Sequence, residues 1–154
     1  MKSIFKSVLL MGALATLLLF PGCGPGNPPE PTVEEVQLGK LTTTWTISNV
    51  TLDNVSKISD YPQFQLTVTG TVGAPSFGYS TVGRPNVSPW PASGSWKFGT
   101  DPATQIVRDS GADELPMTYS VTDTQLQLTF SYSGNGFTAR TSNVKGTWVF
   151  TFTR

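Results

Sequence analysis

The chain has 154 residues, with ten basic and ten acidic side chains, no histidine and one cysteine. The missing histidine removes the His-dependent triads, the Cys–His dyads and most zinc sites, and a lone cysteine makes no internal disulfide. The basic residues form no patch or stripe of the kind that binds phosphate backbones, so nucleic acid is excluded as a partner.

At the N-terminus, Lys2 and Lys6 precede an apolar run over residues 8–20, interrupted only by Thr16. The run is shorter than the roughly 20 residues that span a bilayer and fits the core of a secretory signal. The sole cysteine, Cys23, follows at once behind the small residue Gly22. This position resembles the lipobox of bacterial lipoproteins, whose cysteine is acylated and becomes the mature N-terminus. Phe20 and Pro21 depart from the usual leucine and small residue. The alternative is an ordinary cleaved signal followed by an incidental cysteine. The resemblance implies a chain anchored through Cys23 in the bacterial envelope, with the outer membrane the expected bilayer. Losing Lys2 and Lys6 with the signal leaves eight basic against ten acidic side chains.

Residues 24–31 are a Pro/Gly tether too poor in apolar side chains to pack. Thr32-Val33-Glu34-Glu35 then reads as a capping box, with Val33, Val36 and Leu38 expected to seat at most one short helical turn before Gly39. The organisation is therefore a signal over 1–22, a lipidated cysteine and tether over 23–37, and a β domain over 38–154.

From Leu41 onward the apolar residues alternate with period two. Leu41, Thr43, Trp45 and Ile47 share a face, and a shift after Asn49 predicts a bulge before the Asp53-Asn54 turn. Phe64, Leu66 and Val68 make the next strand, and residues 77–82 another. Residues 83–93 hold Pro85, Pro89 and Pro91, which deny regular pairing, so Val87 and Trp90 must pack on the sheet, cover its mouth or meet solvent. Residues 105–108 are a short, weak strand, and Asp109, Asp113 and Glu114 read as a solvated acidic turn. The last strands are clearer: Met117, Tyr119 and Val121, then Leu126, Leu128, Phe130 and Tyr132 across a turn at Asp123, then Trp148, Phe150 and Phe152.

Three cassettes punctuate this run: Thr43-Thr44-Trp45, Gly94-Ser95-Trp96 and Gly146-Thr147-Trp148. Two begin with a glycine, which permits close approach of another group, and in all three a tryptophan two residues on projects from the same face. Trp45, Trp96 and Trp148 are thus expected to be a structural aromatic plug. The fold predicted is all-β, an up-and-down antiparallel meander of about eight strands closed into a barrel or flattened barrel.

With the lipobox, the tether, the Trp-bearing first strand and the aromatic last strand, residues 38–154 look like the lipocalin-like domains of bacterial envelope lipoproteins, a family largely of unknown function. The likeness implies that Trp45 carries over from the Gly-x-Trp of a lipocalin first strand, without its glycine, and that a late arginine, here Arg154, packs against it. The bottom-up alternative for Arg154 is a solvated terminal charge. The expected function is non-catalytic, with no cofactor and no metal: an anchored domain binding a small hydrophobic ligand or a glycan. Tyr61, Phe77, Tyr79 and Trp90, in or beside Pro/Gly-rich loops, are the candidate binding aromatics. The competing expectation is an accessory protein-interaction subunit of an envelope complex, with a solid core and no ligand cavity.

Overall fold

The computed structural model describes residues 29–109, 114–136 and 144–154, so Cys23 and the apolar run lie outside the described residues. Alternation of buried and exposed side chains runs through most of the nine strands. These are β1 (Thr44–Leu52), β2 (Val55–Ser56), β3 (Gln65–Thr69), β4 (Phe77–Val82), β5 (Ser93–Phe98), β6 (Gln105–Arg108), β7 (Leu115–Val121), β8 (Gln125–Tyr132) and β9 (Gly146–Thr153). Each strand from β3 onward pairs antiparallel with the next, β3 pairs back on the start of β1, and β9 pairs with the rest of β1. Eight strands therefore close a barrel, and β2 is a two-residue addition folded back on β1. Closure removes the free edges that an open sheet exposes.

The predicted bulge falls between Ile47 and Asn49, where the β1–β9 register shifts. It lets β1 turn from its short pairing with β3 to its long one with β9. The Asp53-Asn54 turn has positive φ at both residues, +49° and +66°, as a tight hairpin between right-twisted strands requires. Asp53 then holds the far edge, its carboxylate accepting the Thr147 amide at 2.8 Å. Gly146 sits where a Cβ would collide with that carboxylate, which accounts for the glycine of the third cassette.

The N-terminal element is more than one turn. Helix α1 (Val33–Leu41) opens on the predicted capping box, with Thr32 N–H donating to Glu35 Oε2 at 2.7 Å and Glu35 N–H to Thr32 Oγ1 at 3.2 Å. It continues through Gly39 because Leu38 and Leu41, three apart on one face, are both buried in the core, while Val33 and Val36 face solvent. Of the three residues expected to seat the helix, Leu38 does so, and Val33 and Val36 do not. Contacts join this helix to the barrel in one compact unit, Pro31–Arg154.

The register puts the start of β1 and the turns after β3, β5 and β7 at one end of the barrel, with α1. The connections after β1, β4, β6 and β8 lie at the other. Trp45 and Trp148 each donate the indole N–H to the carbonyl four residues upstream, Leu41 at 2.9 Å and Val144 at 2.8 Å. Trp96 donates to the Gly78 carbonyl at 3.2 Å. The guanidinium of Arg154 lies over Trp45, 5.2 Å from the ring centroid, and its Nε donates to the Asp123 carbonyl, while the residue as a whole stays exposed.

Candidate functional site

The segment between β4 and β5 crosses the barrel mouth and turns inward. Gly83, at φ +68°, makes the turn, and a Cβ there would collide with the Gln63 carbonyl. Pro85, Pro89 and Pro91 lack N–H groups, so the segment cannot extend the sheet. Instead Thr81 caps its returning end, its hydroxyl donating to the Pro91 carbonyl at 2.7 Å and its amide to the Ala92 carbonyl at 2.8 Å.

Between these anchors Ser88 and Trp90 are buried. The Trp90 ring lies among Phe64, Tyr79, Phe130 and Phe150, with centroids 5.7 to 6.2 Å away. Three of these four contacts are edge-on, a favourable arrangement for aromatic quadrupoles. Trp90 N–H donates to Ser88 Oγ at 3.1 Å, and Arg84 Nη1 to the Trp90 carbonyl at 3.3 Å. The indole nitrogen has no hydrogen-bond partner among the described residues, in contrast to those of Trp45, Trp96 and Trp148.

Beneath this indole is a buried arginine. Alternation in β6 puts Ile106 and Arg108 on the inner face, and Arg108 is 2% exposed. Its Cζ lies 4.9 Å from the Trp90 ring centroid and 5.9 Å from that of Phe130, and its Nη1 donates to the Pro89 carbonyl at 2.9 Å. Asp109, at φ +50°, turns its carboxylate back so that Oδ2 stands 3.1 Å from Arg108 Nε and accepts the Tyr79 hydroxyl at 2.7 Å. Oδ1 accepts the Ser95 amide at 3.1 Å. The turn read as solvated thus begins with a carboxylate held by two hydrogen-bond donors and the Arg108 charge, while Asp113 lies outside the described residues. The glycine of the second cassette follows from this cluster, since a Cβ at Gly94 would collide with the Asp109 carboxylate and the Tyr79 hydroxyl.

Burial lowers the pKa of Arg108, against the opposing influence of Tyr79 and Asp109, and the guanidinium stays charged. Burial raises the Tyr79 phenol well above its ordinary range; the nearby Arg108 charge works against this and the bond to Asp109 adds to it. Burial likewise pushes the Tyr61 phenol from 10.0 up to about 12, although its contact with Ser88 lowers it. The folded barrel therefore favours a neutral Tyr61. The contribution of that phenol is fully present below pH 10 and is lost as the pH rises through about 12, a loss of about 3 kcal/mol. Tyr61→Phe is expected to shrink the fall in urea midpoint between about pH 9 and pH 12; an unchanged fall contradicts the assignment.

The four candidate binding aromatics are dispersed. Trp90 and Tyr79 are buried, so of the three places open to Trp90 the structure shows packing on the sheet, among aromatic rings and beside the Arg108 guanidinium. Both line an internal cavity of about 30 Å3, with Arg108, Trp96, Met117 and Leu128 among its other walls. Tyr61 is 1% exposed and packs edge-on against Phe64 and Phe150, beneath a surface cleft of about 510 Å3 that includes Lys57, Asp60 and Val87. Phe77 stands at the opposite end, tilted against Trp96 and edge-on to Phe98 beside α1. Of the three cassette tryptophans, only Trp96 borders the internal cavity; the barrel centre is filled by Trp90, from a loop.

Arg108 and Asp109 are the residues that sequence reasoning missed as parts of an interior site. The signal was the alternation itself, because an arginine two residues after the inward Ile106 must face inward. No protein-family model, curated protein or solved structure matches this chain.

Proposed function

We propose that the chain is a non-catalytic protein of the bacterial envelope, carried on the outer membrane by acylated Cys23, whose barrel binds a small molecule in the place that Trp90 occupies. The observation that carries this reading is Arg108. Burying a guanidinium costs several kcal/mol, and well-packed apolar residues in its place are often neutral or stabilising, so a barrel needing only a solid core has no use for it. A buried charge beside an aromatic ring on a loop is what a ligand site with a resident stopper requires. The position of Arg154 over Trp45 supports the lipocalin likeness. The absence of histidine supports a non-catalytic role.

A second reading, an accessory interaction subunit working through its outer surface, is supported by the small internal cavity. About 30 Å3 admits a water and nothing larger while Trp90 is in place. Mass spectrometry of organic extracts from the full chain, purified from its native envelope, tests the choice. The binding reading expects a compound retained by Trp90→Ala at much higher occupancy than by wild type. Both proteins empty, with wild type crosslinking to one envelope protein, favours the accessory subunit. A Cys23→Ser chain is expected to leave the membrane fraction, and its retention there contradicts the anchor.

A further inference from the structure

The interior site has a chemistry of its own, because the chain already supplies its occupant. Pro89 and Trp90 together present an amide carbonyl to Arg108 Nη1 at 2.9 Å and an indole beneath the same guanidinium at 4.9 Å. The ring and the carbonyl are joined by two carbons and a nitrogen, the skeleton of an N-acylated arylethylamine. We propose that the Pro89-Trp90 segment is a displaceable internal ligand, and that the site it vacates takes a neutral N-acylated aromatic amine. This rests on the binding reading above and names its ligand class.

Three observations point to displacement and to neutrality. Between Gly83 and the Thr81 bonds that fix its returning end, three polar contacts among the described residues tie the loop to the rest of the chain or to its own start: Arg108 to the Pro89 carbonyl at 2.9 Å, Arg84 to the Trp90 carbonyl at 3.3 Å and Tyr61 to Ser88 Oγ at 3.5 Å. The Trp90 indole N–H is buried without an acceptor among the described residues, so leaving the site forfeits no hydrogen bond there, whereas each strand tryptophan would lose one. Charge balance then selects the ligand. Asp109 already stands 3.1 Å from the Arg108 guanidinium, so an added anion meets a carboxylate in a low-dielectric interior and an added cation meets the guanidinium. A neutral carbonyl replaces the Pro89 carbonyl like for like, and an aromatic ring recovers the contacts with Phe64, Phe130 and Phe150.

The test uses the full chain with Trp90→Ala and three indoles that differ in charge: N-acetyltryptamine, indole-3-propionate and tryptamine. N-acetyltryptamine is expected to bind at least tenfold more tightly than either charged probe. It is also expected to bind wild type at least tenfold more weakly than Trp90→Ala, because the resident segment competes. Adding Arg108→Met to Trp90→Ala is expected to erase its advantage over 3-ethylindole, which lacks the carbonyl. Preference for indole-3-propionate overturns the ligand class and leaves the binding reading standing. Equal binding of all three probes overturns the class too, leaving an unselective void. Because Trp90→Ala could fail to fold, Ser88→Cys in an otherwise wild-type chain provides a second measurement. Iodoacetamide labelling of the buried thiol, corrected for the wild-type chain, is expected to accelerate at least threefold with N-acetyltryptamine. Labelling only on global unfolding, whatever probe is present, overturns both the displacement and the binding reading.

Discussion

Asp109→Ala is expected to destabilise the barrel by about 3 kcal/mol, because it removes the carboxylate that offsets the buried Arg108 charge. Arg108 is 2% exposed and keeps its bond to the Pro89 carbonyl, while the Tyr79 hydroxyl and Ser95 amide lose their acceptor in the same step. The backbone adds to the effect, since alanine is strained at the φ of +50° that aspartate tolerates. Asp109→Asn keeps the size, the tolerance of that φ and an acceptor oxygen, so it isolates the charge and is expected to cost more than half as much. Adding Arg108→Met to Asp109→Asn is expected to recover part of the loss, the coupling that marks an ion pair. Urea unfolding followed by tryptophan fluorescence measures all three, and a negligible loss for Asp109→Asn beside a large one for Asp109→Ala would contradict the ion-pair account.

Phe150→Ala is expected to cost a similar 3–5 kcal/mol, for a different reason. Phe150 is fully buried and its ring touches those of Tyr61, Phe64, Trp90, Phe130, Trp148 and Phe152, with centroids between 5.3 and 6.1 Å. It is nearly parallel to Phe130 on β8, at an interplanar angle of 4°, so it joins the inner face of the β8–β9 ladder to the stopper across the barrel. Its neighbour Val149 points the other way and is only half-buried. Val149→Ala is therefore expected to lose under 1.5 kcal/mol, and a loss equal to that of Phe150→Ala would contradict the inward and outward assignment of β9.

Much of the barrel was legible because each strand carries its own evidence. Met117 and Tyr119, Leu126 and Leu128, and Trp148 and Phe152 alternate with polar partners, and period two leaves them one face to bury. The helix was legible at its start and misread at its end. The capping box is local, whereas the continuation through Gly39 depends on what Leu38 and Leu41 meet inside the barrel. The interior site was hidden for a related reason. Proline explains why the segment around Trp90 cannot pair, but its destination depends on Arg108 and Phe130, distant in sequence. Tyr79 and Asp109 are 30 residues apart and meet only through the order of β4, β5 and β6. Gly94 and Gly146 signalled close approach without saying of what; in both cases it is an aspartate carboxylate.

The central claim is that Trp90 is a stopper able to leave while the barrel stays folded. Hydrogen exchange of the four indole N–H groups, followed by NMR and assigned with Trp90→Phe, tests it directly. The Trp45 and Trp148 indoles are bonded to carbonyls inside the barrel and are expected to exchange only through its global unfolding. Trp90, equally buried but without an acceptor among the described residues, is expected to exchange at least a hundredfold faster through local opening of its loop. Exchange of the Trp90 indole at the same rate as those of Trp45 and Trp148 would contradict the account and make Trp90 a fixed part of the core.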